Sequence, residues 1–138
     1  MEKIGRARVF ESFVAIGDSF TEGLDDPRPD GTYRGWADLV AARLALEHPG
    51  LLYANLAVRG RKLAGVMDEQ LPRVEEMRPS LVSIAAGGND LIRMNGDVPA
   101  LANSVHVILE RLVATGATTM VFAGFDPRER IPFSRVPG

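Results

Sequence analysis

Phe13-Val14-Ala15-Ile16, running straight into Gly17-Asp18-Ser19-Phe20, is the stretch that decides the fold. A short, wholly apolar run ending at a glycine fits a strand buried on both faces, as in a parallel sheet. The residues that follow, 18–35, are polar and rich in Gly and Pro. They include Asp25-Asp26-Pro27 and Pro29-Asp30-Gly31, which is loop chemistry. Trp36, Leu39, Val40, Arg43, Leu44 and Leu46 then recur at helical spacing, and His48-Pro49-Gly50 stops the pattern.

The alternation repeats downstream. Residues 51–56 form a second strand candidate, and Arg59-Gly60-Arg61 a turn. Residues 63–77 read as a helix with apolar positions at Leu63, Val66, Met67, Leu71 and Val74. Pro72 is expected to break or kink it. Residues 81–86 form a third strand, closed by Gly87-Gly88-Asn89-Asp90. The longest helix spans 97–115, with Asp97 as N-cap and Pro99 in its first turn. Its buried stripe is Val98, Leu101, Ala102, Val105, Ile108, Leu109 and Leu112, and Gly116 caps its end. Residues 118–123 form a fourth strand, and 125–138 look irregular. Strands alternating with helices predict a parallel sheet covered on both faces, with right-handed crossovers. Ligands bind such sheets beyond the carboxyl ends of the strands. Three polar clusters follow the first three strands: Gly17-Asp18-Ser19, Arg59-Gly60 and Gly88-Asn89-Asp90. Far apart in sequence, they are expected to converge in space.

Composition narrows the function. The chain has 138 residues, enough for one domain, and is 46% apolar and 25% charged, the balance of a globular protein. Sixteen basic against eighteen acidic side chains leave a net charge of −2, which gives no basic field for nucleic acid. The absence of cysteine excludes a disulfide scaffold, a thiolate metal site and a cysteine nucleophile. Two histidines, His48 and His106, argue against a multi-histidine metal site, and no cofactor is expected. No apolar run is long enough for a membrane span or a secretory leader, so the expected compartment is cytoplasmic. A nucleotide-binding domain ranks low, since no Gly-x-Gly-x-x-Gly follows the first strand.

The clusters suit acyl transfer. Ser19, at a turn beside a helix start, can present a nucleophilic hydroxyl, although a serine there also makes a good N-cap. Gly60 can offer an unshielded backbone N–H to an oxyanion, or be simply a turn glycine. Asn89 can offer a side-chain N–H, or occupy a left-handed turn. Oxyanion donors of this kind are typically worth roughly 3 kcal/mol each.

Together these stretches resemble the SGNH hydrolases, also called GDSL esterases and lipases. Gly17-Asp18-Ser19-Phe20 is similar to the first family motif, with Phe where Leu gives the family its name. Asn55-Leu56-Ala57-Val58-Arg59-Gly60 is similar to the second, and Gly87-Gly88-Asn89-Asp90 to the third, in the family's order. The resemblance implies a three-layer α/β/α fold of flavodoxin-like type and an ester hydrolase acting on a small-molecule ester. It implies Ser19 as nucleophile, with the backbone N–H groups of Ser19 and Gly60 and the Asn89 amide as oxyanion hole. Asp18 and Asp90 would hold the motif loops by accepting backbone N–H groups. Asp25, Asp26 and residues 33–36 would lie near the cleft mouth.

One family motif is missing. The fourth, Asp-x-x-His, supplies the general base and the residue that orients it, and no such pattern occurs here. His48 ends a helix at the far end of the sheet, and His106 lies mid-helix beside the buried stripe, so neither is expected to serve. Asp126 follows the fourth strand, but a carboxylate base there has no parallel in the family. The chain therefore reads as a single domain over residues 1–138, incomplete at its C-terminus and with little activity of its own. Arg128, Arg130 and Arg135 in the irregular tail are good protease sites, which fits truncation or proteolysis. Two other readings stand beside the ester hydrolase. One is a non-catalytic ligand-binding remnant. The other is a chain whose exposed fourth strand pairs with the missing part or with a second copy.

Overall fold

The computed structural model describes residues 9–23, 29–31, 35–87, 90 and 97–122. Its sheet has four parallel strands: β1 (Ser12–Gly17), β2 (Leu52–Asn55), β3 (Leu81–Ala85) and β4 (Thr118–Val121). Their spatial order is β2-β1-β3-β4, the flavodoxin-like arrangement, whose direction reverses between β1 and β3. The helices described in full are α1 (Ser19–Glu22), α2 (Trp36–Glu47), α3 (residues 63–77) and α4 (Val98–Ala114).

The order explains the layers. From β1 the chain steps sideways through α2 to β2, then back across β1 through α3 to β3, and onward through α4 to β4. Right-handed crossovers running in opposite directions put their helices on opposite faces. Side chains of β1 alternate accordingly. Phe13 and Ala15 pack with Ala37 and Ala41 of α2. Val14 and Ile16 point the other way, into a core with Leu63, Val66, Leu71 and Val74 of α3 and Ile108 and Leu112 of α4. Ile108 and Leu112 are fully buried, each worth about 2 kcal/mol of apolar burial.

Three details differ from the sequence reading. On α2 the buried positions are the small Ala37 and Ala41, while Leu39 (45% exposed) and Leu46 (72%) face outward. Small side chains let the helix lie close to the sheet, and Trp36, Val40 and Leu44 flank the contact as half-buried neighbours. On α4, Val98 is 56% exposed and Ala102 is also exposed, so the stripe narrows to Leu101, Val105, Ile108, Leu109 and Leu112. Pro72 neither breaks nor ends α3. The helix opens instead into a wide π-helical stretch, Val66–Gln70, in which the Leu71 N–H reaches the Val66 carbonyl, and Pro72 enters the first turn of the segment Leu71–Met77. An interior proline clashes with the carbonyl four residues back, and a π bulge just before it changes that spacing.

At the amino ends of the strands two serines interlock. Ser80 Oγ accepts the Ser12 N–H at 3.0 Å and the Glu11 N–H at 3.1 Å, and Ser12 Oγ accepts the Ser80 N–H at 2.9 Å. The carboxyl ends are the edge at which Asp18, Ser19, Gly60 and Asp90 lie.

Candidate active site

Gly17 ends β1, paired with Ala85 of β3. Its φ is +149°, and a Cβ there would stand 2.2 Å from the Ala85 carbonyl oxygen. Only glycine lets the two strands run this close before the chain turns away. Asp18 follows as N-cap of α1, its Oδ1 accepting the Phe20 N–H at 3.2 Å. Burial raises the Asp18 carboxyl above the usual carboxylate range. The Phe20 N–H opposes that rise, and the Asp90 carboxylate adds to it. Ser19 opens α1 and is half-exposed. Gly23, in the left-handed region at φ +89°, closes this single turn.

The second cluster is tied to the first by backbone. The Gly17 carbonyl accepts the Val58 N–H at 3.2 Å. Asn55, at the end of β2, donates from Nδ2 to the Thr21 carbonyl at 2.8 Å and accepts the Ala57 N–H at 3.1 Å. Glu22 accepts the Arg59 N–H at 2.9 Å and pairs with the Arg59 side chain at 3.5 Å. These bonds hold the Gly60 turn against α1. Gly60 itself is exposed with φ +72°, and a Cβ on it would meet nothing within 4 Å among the described residues. Space thus lies open over its backbone.

The third cluster joins through Asp90, buried at 6% exposure, whose Oδ2 accepts the Leu63 N–H at the start of α3 at 2.9 Å. Asn89 and Gly88 lie outside the described residues, as do Asp25, Asp26, Tyr33 and Asp126. The histidines stand apart from this edge. His48 caps the C-terminus of α2 before β2 begins. His106 is 67% exposed and pairs with Glu110 one helical turn away. At the entrance to α2, Asp38 accepts the Gly35 N–H at 3.0 Å and the Tyr53 hydroxyl at 2.8 Å. Burial and this bond raise the Tyr53 hydroxyl pKa far above its ordinary value.

Two features of the edge were not singled out from sequence. Gln70, 2% exposed, accepts the Gly17 N–H on Oε1 and donates from Nε2 to the Gly17 carbonyl, both at 2.9 Å. The available signal was an amide between Val66 and Val74, four residues from each, on an otherwise apolar stripe. The other is an aromatic cluster: Phe20 lies edge-on to Phe122 at 5.6 Å between ring centres, and Trp36 touches Phe122 at 4.5 Å. No periodicity connects these three positions.

Known proteins share this architecture. Esterase TesA of Pseudomonas aeruginosa is 31% identical over 136 residues, covering 93% of this chain and 64% of that protein. A solved structure of TesA superposes with a TM-score of 0.71 at 27% identity, over 88% of this chain and 65% of the other. A psychrotrophic esterase from Pseudoalteromonas shares the fold at TM-score 0.68 and 19% identity, over 89% of this chain and 64% of the other. An acetylxylan esterase from Geobacillus stearothermophilus does so at 0.69 and 20% identity, over 91% and 65%. The chain thus spans a little under two thirds of the length of these relatives. No helix among the described residues is long and apolar enough to cross a membrane. The family model for GDSL-like lipases and acylhydrolases matches residues 15–136. With that match over most of its length, and with the relatives' fold, the chain belongs to the GDSL-like lipase/acylhydrolase family.

Proposed function

We propose that this chain carries the nucleophile and oxyanion-binding half of a serine ester hydrolase acting on small carboxyl esters. The observation that carries the reading is the bonding among the three motif loops. The Gly17 carbonyl takes the Val58 N–H, two residues before Gly60, and Asp90, next in sequence to Asn89, takes the Leu63 N–H three residues after Gly60, which supports a site built from Ser19, Gly60 and Asn89. In this reading Ser19 Oγ attacks the ester carbonyl carbon while its proton passes to a base. The backbone N–H groups of Ser19 and Gly60 and the Asn89 amide hold the oxyanion. Collapse expels the alcohol, which takes the proton back, and leaves an acyl group on Ser19. Water then attacks that acyl carbon, its proton moving to the base, and frees the acid and Ser19. The base this reading requires is a histidine of the Asp-x-x-His kind that the family resemblance implies.

The open space above Gly60 suits such a site, because a substrate oxygen must reach that N–H. The test is Ser19→Ala in the protein that includes the Asp-x-x-His segment, assayed with p-nitrophenyl acetate. Loss of a nucleophile of this class typically lowers kcat by roughly 10⁴-fold or more. Turnover unchanged by Ser19→Ala would refute the reading. The 138 residues alone should retain at most the weak rate that an oxyanion site and binding provide, roughly 10³–10⁴-fold over water.

A further inference from the structure

We infer that Gln70 is a positioning residue for the nucleophile: its carboxamide holds Gly17, and through Gly17 sets Ser19 against the Gly60 loop. The inference deepens the proposed function and rests on Ser19 being the nucleophile. Its ground is the Gln70–Gly17 pairing. One buried side chain satisfies both the N–H and the carbonyl of a single residue, two bonds of 2.9 Å, as a neighbouring strand would. Gly17 stands two residues before Ser19 and ends its strand.

The same Gly17 carbonyl also accepts Val58 N–H at 3.2 Å, two residues before Gly60. One oxygen is therefore shared by the nucleophile's loop, the Gly60 loop and Gln70. A shift at Gly17 moves the first loop relative to the second. Gln70 is held in turn by α3, where Val66, Leu71 and Val74 are all fully buried. Gln70 is the last residue of the π-helical stretch, which adds a residue to the turn ahead of Pro72. A purely structural glutamine would tie the helix to any part of the sheet; this one grips the residue from which the site loop departs.

Misplacement of reacting groups by about 1 Å typically costs on the order of 10²-fold in rate. Gln70→Met keeps the length and removes both bonds. In the protein that includes the Asp-x-x-His segment, we expect kcat for p-nitrophenyl acetate to fall roughly 10- to 100-fold, with KM within about 3-fold. Labelling of Ser19 by a fluorophosphonate should slow by a similar factor. Ile108→Val, a core change away from the site, is the control for lost stability: it should lower the melting temperature and leave both rates unchanged. Should Gln70→Met fail to fold, Gln70→Glu, which keeps the length and an acceptor for the Gly17 N–H, carries the same expectation of slowed labelling. Wild-type kcat and labelling in a folded Gln70 variant would overturn the assignment. So would rate losses that merely follow melting temperature, as the control reveals. Ser19→Ala runs in parallel. Retained turnover there fails the nucleophile reading and the inference with it, whereas loss there with full rates in Gln70→Met fails the inference alone.

Discussion

Gly17→Ala tests the physical account of the site loop most directly. The new Cβ would lie 2.2 Å from the Ala85 oxygen, 3.1 Å from the Ala85 carbonyl carbon and 3.1 Å from Thr21 Oγ1. Two of these atoms are backbone of the neighbouring strand, so no rotamer change relieves the contact. The φ of +149° adds strain for any L side chain, about 1–2 kcal/mol. Forcing β1 and β3 apart adds about 1–3 kcal/mol of overpacking. The movement also loosens the buried Gln70 bonds, at about 1–3 kcal/mol for groups left unpaired. The sum is about 3–8 kcal/mol, against a total stability of about 5–15 kcal/mol for a domain. Gly60→Ala is the internal comparison: with φ +72° and no described atom within 4 Å of its Cβ, it should lose only about 1–2 kcal/mol. Urea unfolding followed by far-UV circular dichroism measures both. A Gly17→Ala loss under about 1 kcal/mol, or no larger than that of Gly60→Ala, would refute the close-approach argument.

Two further outcomes follow from the carboxylates. Asp18 has a folded-state pKa raised chiefly by burial, so the folded protein binds its proton more tightly than the unfolded chain does. Its contribution to stability is thus fully present below the ordinary carboxylate pKa and is lost as pH rises through the raised folded value. Asp18→Asn keeps an oxygen for the Phe20 N–H and removes the charge. Relative to wild type its urea midpoint should therefore be higher at pH 7 than at pH 4, and the opposite trend would sink the assignment. Asp90→Ala leaves the buried Leu63 N–H without its 2.9 Å acceptor and should cost about 1–3 kcal/mol. Asp90→Asn should recover most of that, and equal losses in the two variants would show that the bond is not the cause.

Much of this architecture was legible in the residues. Apolar runs at 13–16, 51–56, 81–86 and 118–123 became strands Ser12–Gly17, Leu52–Asn55, Leu81–Ala85 and Thr118–Val121. Central parallel strands are buried on both faces and leave an unmistakable composition. Helix faces were less legible. Leu39 and Leu46 fit the helical period yet point to solvent, because a period marks a stripe without saying which side meets the sheet. Pro72 signalled trouble in α3, but whether a helix kinks, breaks or bulges depends on what it packs against.

By itself the sequence determined the parallel sheet, the motif order and the glycine at the end of β1. These follow from local chemistry: which residues tolerate burial, and which backbone angles a glycine alone adopts readily. Tertiary structure decided how the pieces address one another. It turned Gln70 inward to hold Gly17, put Asp90 at the start of α3, and gathered Phe20, Trp36 and Phe122. The two hydrogen bonds join residues 53 and 27 positions apart. Their partners are chosen by the packing of α3 against the sheet, which no local pattern records.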